Sequence, residues 1–580
     1  MTPRWRAVAA TAAALLLAGC VQMPTAGPIL EVEDTQSGNT SGGTFIDPAP
    51  PEPGASAREV VSGFLEAMKA APIKTTVAAQ YLSSEAQVRW KPEGGTITYS
   101  DLDPVRGDRV LTVPMVDAEV YDSRGAWSRS LRAGDAELSF PMTLEGAEWR
   151  IAEAPDALVV PESWFEDRFS RAALYFLDPT GRILVPEPVF VPEGDQFATS
   201  LVRGLLAGPP RHLGTVVRST VPAGLSLALS VPIDDDGLAE VSLQGPPGVS
   251  AEDLVSDEMI AQVAWTLRQD PRITAVRLTL NGRAVPLPGH GQELSPAAGA
   301  RLDPVGSGSV RDLFALRDGL LVRGDLEEFD ETSGPLGSQQ LGVRTAAVNL
   351  TATQAAAVTT DGTSLLVAPV EDEEGVATEL FAGGTDLLPP VWDFTDRLWW
   401  VDRTAGGAVV WTSTNERARQ VRVPGLTGRN VTSFLVSRDG SRLAAVVREP
   451  GGDRVVTGRI QRDERGRVLG ATRVRPLDLE LEPGRRINDM GWRSPSSLTL
   501  LSDITGDLSQ VRTVAVEGAP ADLDTGATSR IRGGAGTLVS SPARNESVYV
   551  VQADGVADLV DPAREIPPLD EGITWLGFVG

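Results

Sequence analysis

The sequence predicts a multidomain chain: an α+β unit, a second α+β unit, and then an all-β propeller. Three observations carry this. Within residues 56–165 a helical hydrophobic period gives way to strict alternation, the order seen when helices pack on one face of an antiparallel sheet. Between 166 and 290 strands and amphipathic helices interleave. From about residue 305 the helical period disappears, and a polar turn feeding a short apolar strand recurs. The chain has 580 residues, enough for several cores at roughly 100–200 residues per domain. Its 59 glycines and 43 prolines against 5% aromatics fit a turn-rich, strand-rich chain.

The N-terminus begins with Arg4 and Arg6, followed by an apolar run from Ala7 to Ala18. That run is shorter than the roughly 20 residues needed to span a bilayer, and its charge-then-apolar order is that of a secretory signal. It ends in Leu17-Ala18-Gly19-Cys20, which resembles the bacterial lipobox. The resemblance implies that residues 1–19 are a lipoprotein signal peptide. Cys20 would then carry S-diacylglycerol and an N-linked acyl chain such as palmitate, placing the protein on the extracytoplasmic face of the cell membrane. Two or three acyl chains hold stably where one binds reversibly. Cys20 is the only cysteine, so no intramolecular disulfide or Cys-based metal site is available. Residues 20–55 read as a tether: Gln36 to Gly43 is flexible in composition, and four prolines lie between Pro48 and Pro53.

Order is expected from Ser56-Ala57-Arg58-Glu59, a capping-box pattern, with Val60, Val61, Phe64, Leu65 and Met68 at helical spacing. A short helix is expected over Thr75 to Leu82. Strands are expected at Thr96–Tyr99, Val110–Val120 and Glu137–Ile151. This 56–165 layout resembles the NTF2-like fold. In the next unit, strands are expected over Ala172–Leu177 and from Ile183 to Pro192. Helices are expected at Phe197–Leu206 and Leu254–Leu267, a hairpin joins Leu225–Val231 to Leu238–Leu243 across Asp234-Asp235-Asp236-Gly237, and Ile273–Leu280 closes the unit. The strings Leu201-Val202-Arg203-Gly204-Leu205-Leu206-Ala207-Gly208-Pro209 and Val221-Pro222-Ala223-Gly224-Leu225, in this element order, resemble the GerMN domain.

The C-terminal repeat shows at Asp361-Gly362, Asp396-Arg397, Ser437 to Val447, Ser494 to Leu501 and Ser541 to Val551. Its spacing approximates one propeller blade, giving six or seven blades over residues 305–580. A β-sandwich of unrelated hairpins stays open as the alternative, because the copies are degenerate.

The search for chemistry assigns no catalytic residue, cofactor or metal. The sequence has only two histidines, His212 and His290, far apart and both in loop contexts. Neither a Gly-x-Ser-x-Gly elbow nor a Walker loop is present, and Gly533 to Gly536 lacks dinucleotide spacing. Asp234–Asp236 lacks the alternating ligands and closing glutamate of a calcium loop and reads as a hairpin turn. Trp392, Trp399, Trp400 and Trp411 form either an aromatic binding surface or core, and adjacent Trp399 and Trp400 must face opposite ways. Asn39, Asn349, Asn430 and Asn545 stand in Asn-x-Ser/Thr strings that chance alone supplies at this length. A net charge of −26 argues against a nucleic-acid partner, and no basic counter-patch stands out.

Taken in order, the lipobox, the tether, two α+β units and a degenerate propeller resemble the LpqB family of actinobacterial lipoproteins over essentially the whole mature chain. That resemblance implies a non-enzymatic accessory of the MtrA–MtrB two-component system, contacting the extracytoplasmic domain of the sensor histidine kinase. The competing reading is an envelope hydrolase or carbohydrate-binding protein using the propeller channel or the first domain's pocket. Cys20→Ala is expected to release the protein from the membrane fraction, measured by fractionation and immunoblotting; full retention contradicts the lipid anchor.

Overall fold

The capping box at Ser56 forms as its sequence dictates. The Ser56 hydroxyl accepts from the Glu59 N–H at 3.3 Å, and the Glu59 carboxylate accepts from the Ser56 N–H at 2.7 Å. The helix it starts, Ala57–Ala67, buries Val60, Val61, Phe64 and Leu65. The computed structural model describes residues 46–580, except 133, 255, 288, 290, 415, 416, 480, 506, 507, 521–527, 554 and 565, and the side chains of 252, 253, 414 and 505. The helix packs on two four-stranded sheets. One orders Trp127–Ser130, Glu119–Asp122, Gly95–Tyr99 and Leu158–Pro161; the other orders Asp101–Leu102, Val110–Val116, Glu137–Glu145 and Glu148–Ile151. Phe64 meets Phe140 edge-on at 5.8 Å in the core between them.

Four expectations change here. The run Glu137–Ile151 breaks into Glu137–Glu145 and Glu148–Ile151 at Gly146-Ala147, both at positive φ. The run Val110–Val120 breaks into two strands at Asp117, where a φ of 47° lets the chain pass from one sheet to the other. The second helix shrinks to Thr76–Ala79, and Ser84–Arg89 adds another, capped by the Ser83 hydroxyl accepting from Ala86 N–H. Residues 46–55, assigned to the tether from composition, are pinned: Ile46 and Ala71 exchange backbone hydrogen bonds, and the Tyr81 hydroxyl donates to Ala49 O at 2.9 Å.

The second domain starts with a long ribbon, Phe169–Leu177 paired antiparallel with Leu184–Pro192. Helix Phe197–Ala207 follows, then a sheet ordered Ser226–Leu227, Leu238–Gln244, Ala275–Leu280, Arg283–Ala284. Its two long strands run parallel, joined by helix Asp257–Leu267 with Ser256 as N-cap. The expected hairpin is mostly absent. Only Ser226–Leu227 pairs as a strand, and the arm behind it leaves Leu229 79% exposed. The Asp234 turn does form: one Asp234 carboxylate oxygen accepts from the Asp236 and Leu238 amides, so backbone amides engage it.

Six sheets then close into a ring. The inner strands are Val343–Val348, Val391–Trp392, Val431–Val436, Ile487–Ser494 and Ala535–Val539 for the second to sixth blades. The first blade takes its inner strand from Ile573–Gly577, which pairs antiparallel with Leu313–Arg317. The propeller reading is therefore correct, with six blades. One repeat copy was out of register. In the third to sixth blades the polar turn joins the inner strand to the next, but Asp361-Gly362 lies one turn later in the second blade. Its true counterpart is Asn349 to Gln354, where the Asn349 side chain accepts from both Thr353 and Gln354 amides.

The second domain docks on the ring face carrying those turns. Glu187, mid-ribbon, is clamped by Arg459, whose Nη1 donates to it at 2.9 Å, with Arg442 3.4 Å away. Arg442 also donates to Pro186 O at 2.5 Å, and Arg171 crosses to Glu517 and to Ser496 O. Burial works against the Glu187 anion, but Arg459 and Arg442 outweigh it and hold its carboxyl below the usual range. The first domain joins the same body, since Ala515 and Ala519 of the fifth blade sit in its core.

Glu187→Ala leaves two buried guanidiniums without their counter-ion and is expected to cost about 3–5 kcal/mol, read as a lowered melting temperature. The depressed carboxyl makes its contribution full above its unfolded pKa of 4.5 and lost as pH falls through the folded value. Asp489 has the opposite sign. It accepts from Leu538 and Met490 amides at the seam of the fifth and sixth blades, and burial pushes its carboxyl up to about 6. Stability is therefore expected to fall as pH rises from about 4 to 6, by on the order of 1–3 kcal/mol. Thermal melts of Asp489→Asn should lack that portion of the slope.

Candidate interaction groove on the first blade

Blade edges bring together residues distant in sequence. The start of Leu313–Arg317, the end of Leu320–Gly324, the strand Phe329–Glu331, Glu371 and the sixth blade's Glu546 and Tyr549 enclose an open groove of about 570 Å³. Tyr549 stacks on Phe578 at 6.2 Å and 18° at its base. Arg323 organises the wall: its Nε donates to Asp312 at 2.6 Å, Nη1 lies 3.8 Å from Glu371, and its guanidinium lies over Phe314 at 5.9 Å. Glu371 also accepts from the Ser333 amide and hydroxyl, each at 3.2 Å. Arg311 reaches Glu546 at 3.4 Å. Carboxylates tied to guanidiniums are poor proton shuttles but suit recognition of a partner that exchanges ion pairs.

The central channel is smaller, about 150 Å³, and Arg438 is the one charged side chain in its described lining. Arg438 is buried, donates to Val579 O at 2.6 Å and to Ser541 Oγ at 3.3 Å, and burial pushes its guanidinium down to about 10. Residues 578–580 run past it, with Gly580 N–H bonded to Val348 O. Two converging carboxylates, the mark expected of a hydrolase, do not line this described channel.

The tryptophans are core. Trp399 and Trp400 are both fully buried and do face opposite ways, Trp399 into the cluster shared with the fourth blade and Trp400 into that shared with the second. Trp399 Nε1 donates to Asp393 at 3.0 Å, and Trp392 Nε1 donates to Ala347 O at 3.0 Å. Trp411 is half-buried, stacked parallel on Trp400 at 6.2 Å. Asp393 is a buried anion of the third blade: burial opposes its charge, but Arg462 at 2.7 Å and Arg397 keep its carboxyl lowered. Asn349 is buried in its turn. His212 is exposed in the turn Arg211–Leu213. Leu17, Ala18, Gly19, Cys20, Asn39 and His290 lie outside the described residues. Among the described residues no group of three or more His, Cys, Asp or Glu is placed to hold a metal, and no helix is long and apolar enough to cross a membrane.

Comparison with known families decides the identity. Residues 50–166 match the model of the N-terminal domain of lipoprotein LpqB, 173–286 the model described as sporulation and spore germination, and 319–568 the β-propeller domain of lipoprotein LpqB. The chain belongs to the LpqB lipoprotein family. Lipoprotein LpqB of Thermobifida fusca is 29% identical over 90% of this chain and 91% of its own length. That of Mycobacterium bovis BCG is 27% identical over 93% and 92%. Among solved structures, the first GerMN domain of the sporulation protein GerM from Bacillus subtilis is 26% identical over 22% of this chain and 96% of its own, with a TM-score of 0.18. A nidogen/laminin complex matches 46% of this chain and 98% of its own at 11% identity, with a TM-score of 0.33. A lipoprotein family is a membrane-anchored one, and these relatives carry no enzymatic name.

The groove was invisible in the sequence because its walls come from residues 311–331, 371, 546–549 and 578, which only ring closure brings together. A signal did exist in retrospect: Asp312, Arg323 and Glu371 are alternating-sign charges next to strand ends.

Proposed function

We propose that this LpqB-family chain is an extracytoplasmic accessory of a sensor histidine kinase of the MtrB type, modulating MtrA–MtrB signalling by protein–protein contact. The groove on the first blade is its contact site. What supports this most is the pre-organised set of arginine–carboxylate pairs over the Tyr549–Phe578 stack, an arrangement of aromatic anchor and charged wall suited to a polypeptide. Anchoring confines both proteins to one thin layer, so modest intrinsic affinity suffices. A preference for one kinase conformation then shifts its output.

Crosslinking in intact membranes with mass spectrometry is expected to join groove peptides to the kinase's extracytoplasmic domain. Arg323 is about one-third exposed, so Arg323→Glu should change stability by less than about 1 kcal/mol. It places three carboxylates together and should weaken kinase binding about tenfold. Recovery of glycan in place of kinase peptides would instead favour the carbohydrate-binding reading.

A further inference from the structure

The acidic total conceals a local reversal. Residues 417–476 hold fourteen arginines and five carboxylates, with no lysine, a net of +9 within a chain of −26. Whole-chain composition does not reveal this counter-patch. Part of it serves the fold: Arg442 and Arg459 hold Glu187, Arg462 holds Asp393, and Arg448 holds Asp453. Arg438 lies buried in the channel, and Arg429 and Arg454 pair with Glu449. Most of the others gather on one rim. The outer strands of the third and fourth blades, Arg417–Val421 and Val468–Ala471, lie side by side, with Arg419 Nη1 donating to Val468 O at 3.0 Å. A Cβ on Gly470 would stand 3.9 Å from Arg422 O, and one on Gly425 would stand 3.8 Å from Arg473 Cγ. Arg417, Arg419, Arg422, Arg467, Arg473 and Arg475 are thus exposed along one seam, and Leu469 stands among them 47% exposed.

The carboxylates described on this seam are Asp463, which pairs with Arg467 at 3.2 Å and accepts the Arg465 and Arg467 amides, and exposed Glu464. Outer blade strands often carry charge to prevent edge-to-edge pairing. That need is met by either sign, and does not explain one sign across two neighbouring edges.

We propose that this rim docks on the anionic headgroups of the membrane that carries the protein's anchor. The chain outside residues 417–476 totals −35 (−26 less +9), so an anionic surface repels the molecule as a whole and favours approach rim-down. Guanidiniums grip phosphate oxygens as forks, and an exposed leucine among them adds apolar contact at the headgroup boundary. The 25 residues between Cys20 and Ile46 allow a reach of up to about 90 Å, enough for anchor and rim to engage one surface. The rim also lies away from the first blade's groove, which stays open to a partner.

The test uses the chain from residue 20 onward carrying Cys20→Ala, so that no acyl chain contributes. Co-sedimentation is measured with vesicles of phosphatidylcholine alone and with 30% phosphatidylglycerol (by convention, about one anionic lipid in three). The expected result is binding to the anionic vesicles only, weakened at least about tenfold between 50 and 300 mM salt. Arg417→Glu, Arg422→Glu, Arg467→Glu and Arg473→Glu combined should abolish it, and the same four changed to Gln should give an intermediate loss, both with unchanged melting temperatures. Reversal of Arg89 and Arg129, exposed on the first domain, should leave binding intact. No binding to anionic vesicles at 50 mM salt overturns the proposal. So does binding that survives the four reversals, or capture of soluble polyglutamate without vesicle binding, which would assign the rim to an acidic polypeptide.

Discussion

The clamp on Glu187 is the interaction on which the assembly depends. A ribbon from one domain pushes a carboxylate into the face of another, where burial alone would force it to neutralise. Arg459 and Arg442 arrive from adjacent strands of the fourth blade and make the anion the favoured state. Because the Arg442 guanidinium also binds the neighbouring Pro186 carbonyl, register and charge are fixed together. Buried ion pairs contribute less to net stability than to uniqueness, since any slip of the ribbon strands a charge. The second domain and the propeller are held as one body by this and by the Arg171–Glu517 pair beside it, and the first domain joins them through Ala515 and Ala519.

That docking divides the propeller's surface. The turns of the third to fifth blades face the second domain, where Arg462 also accepts a place over Phe394 opposite Arg182. The fourth blade lies across the six-membered ring from the first, so the groove of the first blade is left uncovered. The arginine rim lies on a third aspect, along the outer strands. The propeller therefore presents two chemically distinct surfaces, one mixed in charge with an aromatic base and one strongly basic.

Local rules were legible where local physics decides. The capping box at Ser56, the aspartate turn at Asp234 and the opposed faces of Trp399 and Trp400 all follow from spacing and backbone period. Legibility failed where tertiary contacts decide. Alternation runs through Asp117, yet the chain there passes from one sheet to the other, and a short aspartate tolerates the positive φ. Leu225–Val231 looked apolar enough for a strand, but the arm has no continuous partner. Asp361-Gly362 resembled its neighbours because one turn chemistry serves two positions in a blade. Residues 46–49 looked like linker because what orders them is a backbone exchange with Ala71, and such hydrogen bonds leave no compositional trace.

Ring closure also bears on how the chain acquires its shape. The first blade is completed by a strand whose Thr574 meets Leu316, 258 residues earlier. Pairing over such a distance is slow, because the intervening chain loses its freedom before the contact rewards it. A chain is synthesised N-terminus first, so Leu313–Arg317 waits with an unsatisfied edge until almost all the remaining chain has emerged. During that interval an apolar strand edge stands open, a state prone to mispairing. The two preceding domains present their own finished cores by then, and the ribbon's Glu187 offers the fourth blade a fixed template on which the half-built ring can assemble.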